Sequence, residues 1–119
     1  MTILEKIIEH KKKEVSWRKS NFPMPFWEKT PLFEVSTTSL SERIINSSSG
    51  IIAEHKRRSP SKPYINDKIS IEEVVKGYEQ AGVCGMSILT DTGFFGGSLE
   101  DLVAARTLSN KPLLRKDFI

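Results

Sequence analysis

No apolar run in these 119 residues reaches the roughly 18 that a membrane-spanning helix requires, and the N-terminus shows no apolar signal region or cleavage site. The expected setting is therefore cytoplasmic, with no membrane partner. Cys84 is the only cysteine, which excludes an internal disulfide; set in an apolar stretch, it reads as a small buried hydrophobe. Neither a metal-ligand cluster nor a glycine-rich nucleotide loop occurs, so no metal and no cofactor are expected. The aromatics are not interleaved with the basic residues, as a base-stacking surface would need, and there is no zinc-finger pattern. These absences argue against nucleic acid as a partner.

What is present is an ordinary globular composition, 38% apolar and 28% charged, which argues against wholesale disorder. The length suits about one domain and falls short of the about 250 residues typical of a closed α/β barrel. The net charge of +3 is mild, but basic residues gather at Lys11-Lys12-Lys13 and at Lys56-Arg57-Arg58 with Lys62. The first group reads as the solvated face of a helix; the second flanks a strand end and could meet an anion.

Thr2 and Glu5 stand at capping-box spacing before a helical apolar pattern at Ile3, Leu4, Ile7, Ile8 and Val15, which predicts an amphipathic helix over residues 1–20. Pro23, Pro25 and Pro31 then exclude a continuous helix. Phe22, Phe26, Trp27, Leu32 and Phe33 are apolar enough to pin an extended segment. A short helix begins at Ser39 and ends near Asn46. Residues 1–49 are thus expected to form a helical extension, and residues 50–119 the body.

After Gly50 the pattern becomes regular. A strand over 51–56 is followed by a helix from Ser70 to Gly82, a strand over 86–89, a helix opened by Ser98 and Asp101, and a strand from Leu113. Such β-α-β-α-β alternation predicts right-handed crossovers and a parallel sheet, either open or part of a barrel.

The first strand reads as buried on both faces and then turns charged. Side chains alternate along a strand, so Ile52, Glu54 and Lys56 share one face while Ile51, Ala53 and His55 share the other. An acid and a base at a strand's carboxyl end form either a plain ion pair or a ligand site of the kind α/β folds place there. The third strand repeats the device: Leu114, Lys116 and Phe118 share a face, and Lys116 arrives where the apolar run ends. Two lysines at equivalent ends of parallel strands, one beside a glutamate, favour a site that binds an anion and moves protons. Arg115 points away and reads as structural.

Three runs together resemble the first three strand-end motifs of the indole-3-glycerol phosphate synthase family. They are Ile51-Ile52-Ala53-Glu54-His55-Lys56-Arg57-Arg58-Ser59-Pro60-Ser61-Lys62, then Ser87-Ile88-Leu89-Thr90-Asp91 with Phe95-Gly96-Gly97-Ser98, then Leu114-Arg115-Lys116-Asp117-Phe118-Ile119. The resemblance implies the N-terminal portion of a (β/α)8 TIM barrel with extra N-terminal helices. It implies ring closure of 1-(2-carboxyphenylamino)-1-deoxyribulose 5-phosphate to indole-3-glycerol phosphate, with loss of carbon dioxide and water, in tryptophan biosynthesis. By the same resemblance Lys116 would be the general acid, Lys56 would bind the substrate carboxylate, and Glu54 would hold the lysines and balance their charge. Ser59 would lie near the phosphate and anthranilate ends, and Phe95 and Phe118 would wall the aromatic ring.

The bland readings are that both phenylalanines are ordinary core, that Ser59 begins a Ser-Pro turn, and that His55, where an aromatic residue is expected, is packing. Pro63 replaces an expected glycine, which alters the first βα loop. The family's general-base glutamate and late-strand phosphate loops have no counterpart in these residues, so the 119-residue chain alone is expected to be inactive. A three-stranded fragment with open edges is expected to self-associate or be unstable. The alternative is a non-catalytic half-barrel that binds phosphorylated ligands or a complementary barrel half.

Overall fold

A computed structural model describes residues 1–119, which fall into two compact units, Met1–Thr37 and Thr38–Ile119. The first unit is helical. Helix α1 (Ile3–Asn21) starts with the full capping box, in which the Thr2 hydroxyl accepts from the Glu5 amide at 3.2 Å and the Glu5 carboxylate accepts from the Thr2 amide at 2.8 Å. The segment that follows is not extended: Met24–Glu28 forms a short helix, α2. Proline is tolerated there because Pro25 occupies the first turn, where its missing N–H has no intrahelical partner to lose. The aromatic anchoring holds in part: Phe22 is in ring contact with Trp17, Phe26 and Trp27, while Leu32 and Phe33 are exposed.

The second unit begins with helix α3 (Leu40–Asn46), capped by Ser39, so α3 groups with the strands rather than with the N-terminal helices. Strands β1 (Ile52–His55), β2 (Gly85–Leu89) and β3 (Leu113–Lys116) form one sheet in the order β1-β2-β3, every pair parallel. They alternate with α4 (Ile71–Ala81) and α5 (Leu99–Leu108), the connectivity of consecutive βα units in a (β/α)8 barrel. Gly82 ends α4 in the left-handed conformation, φ 74°, as a C-terminal glycine should.

The core lies on the helix side of the sheet. Met86 and Ile88 of β2 pack with Ile71 and Val75 of α4 and Ala105 of α5, flanked by Ala53 and Leu113 from the outer strands. The strand register places the other residues on the opposite face: Ile52 and Glu54 from β1, Ser87 and Leu89 from β2, and Leu114 and Lys116 from β3, with Lys56 just past the end of β1. At the amino end of that face α3 packs against β2, with Leu40 Cδ1 only 2.6 Å from where a side chain on Gly85 would begin.

Burial corrects one expectation. Only β2, with a strand on each side, is buried at every position; β1 is buried at His55 alone, and Ile51 and Ile52 are 54% and 39% exposed. The apolar run at 51–52 therefore marks a strand without making it an interior one. No helix is long and apolar enough to cross a membrane.

Candidate active site

The carboxyl ends of β1 and β3 bring two of the expected lysines onto one carboxylate. Glu54 Oε1 lies 3.4 Å from Lys56 Nζ, and Glu54 Oε2 lies 3.1 Å from Lys116 Nζ. Ser87, on β2 between them, donates its hydroxyl to the same Oε2 at 2.7 Å. Glu54 and Ser87 are register partners and so face the same way. Burial acts to raise the Glu54 carboxyl. The Ser87 hydrogen bond, the Lys116 hydrogen bond and the charges of Lys116 and Lys56 outweigh it, and hold the group below the usual carboxylate range. Asp117 adds a weaker contact, 3.9 Å from Lys116 Nζ.

The Phe95 and Phe118 rings lie with centres 5.9 Å apart, and Lys56 Nζ stands 5.9 Å from the centre of the Phe95 ring, within cation–π reach. Apolar walls and cationic heads thus share one rim. Lys116 is not enclosed, its side chain being 42% exposed. Ser59 is the one expected site residue not brought to the lysines. It exchanges backbone hydrogen bonds with Lys62 at 2.9 and 3.1 Å, and its hydroxyl accepts from the Lys62 amide at 3.2 Å, so it closes a turn within its own loop.

The contacts of two arginines had no counterpart among the sequence expectations. Arg57 grips Asp101 with both terminal guanidinium nitrogens, at 2.5 and 3.2 Å, and also donates to the Gly96 carbonyl at 3.1 Å. Arg58 donates to the Thr92 carbonyl at 2.8 Å. The two arginines tie the loop after β1 to the loop after β2, which carries Phe95. That second loop returns so closely that a Cβ on Gly97 would lie 1.9 Å from the Leu89 carbonyl oxygen, and only glycine fits. Arg115 points to the other face and donates to the Thr90 hydroxyl at 3.1 Å.

His55 is buried beside Arg57 and Asp101, with its Nε2 unpartnered. Burial lowers its pKa, the Arg57 charge lowers it further, and Asp101 opposes both. Its surroundings are those of packing.

Comparison with known proteins agrees with this geometry. A family model described as indole-3-glycerol phosphate synthase matches residues 4–119. A Bacteroides thetaiotaomicron protein named indole-3-glycerol phosphate synthase is 44% identical over 117 residues, covering 98% of this chain and 45% of its own length. One of the same name from Bacillus cereus is 45% identical over 119 residues, covering 99% of this chain and 44% of its own. The chain spans a little under half the length of these relatives. With a family model matched over residues 4–119 and relatives of that name at 44% and 45% identity, the chain belongs to the indole-3-glycerol phosphate synthase family.

Proposed function

We propose that these residues supply the β1–β3 share of an indole-3-glycerol phosphate synthase active site, acting on 1-(2-carboxyphenylamino)-1-deoxyribulose 5-phosphate. The observation that carries the reading is the convergence of Lys56 and Lys116 on Glu54 at the carboxyl ends of parallel strands.

The aromatic carbon that bears the carboxylate must attack the substrate's ketone carbon. As that bond forms, the ketone oxygen gains negative charge and needs a proton. The Lys116 ammonium is the donor, and the exposure of its side chain leaves it reachable. Lys56, beside the Phe95 ring, pairs with the substrate carboxylate and holds the reacting carbons in line. The carboxylate then leaves as carbon dioxide and its electron pair returns to the ring; the new hydroxyl takes up a proton and leaves as water while the neighbouring methylene carbon gives up a proton to a base, which forms the remaining double bond of the indole. Glu54 balances two ammonium groups throughout. Phe95 and Phe118 flank the ring and exclude water, while Ser59 lies in the loop near the phosphate end.

The resemblance assigns the general base and the late-strand phosphate ligands to strands after β3, so the 119 residues alone should give no turnover. The test uses the whole protein that contains them: supplied with the substrate, it should release carbon dioxide and generate indole absorbance. Failure to form an indole product overturns the reading.

A further inference from the structure

Resting on the synthase reading, we infer that Ser87 is a positioning residue of the site: its hydroxyl fixes the plane of the Glu54 carboxylate, so that one oxygen serves Lys56 and the other Lys116. Ser87 is 3% exposed and belongs to the only strand paired on both sides. It is the one hydroxyl in a strand otherwise made of Gly85, Met86, Ile88 and Leu89. Its Oγ donates to Glu54 Oε2 at 2.7 Å, shorter than the 3.1 and 3.4 Å contacts from the lysines.

The need for such a group follows from side-chain freedom. The terminal torsion of a glutamate is broad, and lysine heads sit on long flexible stems, so two lysines alone leave the carboxylate free to turn. A serine has one short arm, and this one sits in the central, fully buried strand of the sheet. With Oε2 held, Oε1 faces Lys56, and the two ammonium groups stay on separate oxygens rather than competing for one.

The charged groups facing Glu54 are Lys56, just after β1, and Lys116 from β3, with Asp117 reaching Lys116. From α4, the Tyr78 hydroxyl donates to the Glu54 main-chain carbonyl at 2.9 Å and leaves the carboxylate to the other three. A serine that merely filled space would leave the glutamate's titration alone; a positioning serine would not.

The test is a carboxyl-carbon NMR titration of Glu54 in the unmodified protein, in Ser87→Ala and in Ser87→Thr. The Ser87→Ala midpoint should rise by about one pH unit, since a donor to the charged form is removed, and Ser87→Thr should restore it. In the unmodified protein the Ser87 Cβ resonance should titrate with the Glu54 midpoint, a readout that survives if neither variant folds. An unmoved Ser87→Ala midpoint, a Ser87→Thr midpoint as displaced as that of Ser87→Ala, or a Ser87 resonance indifferent to pH would each overturn the proposal. No substrate is involved, so failure of the synthase reading shows separately, as absent turnover with the Glu54 shift intact.

Discussion

Lys116 lies 3.1 Å from Glu54 although 62 positions separate them in the chain. Two βα crossovers close that separation, because parallel strands in sequential order bring every carboxyl end to one side. Glu54 is the hub: a β1 carboxylate that takes the lysine just after β1 on one oxygen, and a β2 hydroxyl and a β3 lysine on the other. Exposure of Lys116 leaves that ion pair worth about 1 kcal/mol or less as a stabilising contact. Its significance is therefore chemical.

Lys56→Ala in the whole protein should raise KM for the carboxylated substrate about tenfold, the loss of one charged hydrogen bond, and change kcat less. Steady-state kinetics separate the two, and a KM equal to that of the parent argues against the carboxylate contact.

Gly97→Ala should destabilise the Thr38–Ile119 unit by about 3 kcal/mol, since the new methyl meets a backbone carbonyl rather than a side chain that could swing aside. The denaturant midpoint reports it, and a midpoint within error of the parent contradicts the close approach of Gly97 to Leu89.

The Arg57–Asp101 pair has side chains 20% and 12% exposed and makes two hydrogen bonds, so a double-mutant cycle with Arg57→Ala and Asp101→Ala should show coupling of about 2 kcal/mol. Additive effects would mean that the two loops are held together by other contacts.

His55 sets a pH dependence. Its folded pKa is below the ordinary 6.5, so the unfolded chain takes up the proton first. Its share of stability is complete above pH 6.5 and is lost as pH falls from there through the folded value. Glu54 has the same sign but acts below its ordinary 4.5. His55→Phe should therefore flatten the upper window and leave the lower one. It should also gain about 1 kcal/mol near neutrality by removing an unpartnered buried nitrogen. Thermal melts across pH 4–7 check this, and an unchanged slope just below pH 6.5 contradicts it.

The alternation of strands and helices was legible because capping serines, Gly82 and apolar runs act locally, and Ser39, Ser70 and Ser98 each accept the amide three residues on. The face shared by Glu54 and Lys56 was legible from strand parity. Four features were not. Helix α2 was hidden because proline breaks a helix interior but is tolerated in its first turn. The exposure of Ile51 and Ile52 depends on how many strands flank β1, which no local run encodes. The role of Ser87 depends on a partner in another strand, and only the pairing of Glu54 with Ser87 across two strands turns it into a donor. The arginine clamp likewise joins residues 44 positions apart.

The account stands most directly on kcat for Lys116→Ala in the whole protein. Loss of the ammonium that protonates the ketone oxygen should lower kcat by about 10² or more, with the substrate still bound through Lys56. Turnover at the parent rate from Lys116→Ala would contradict it.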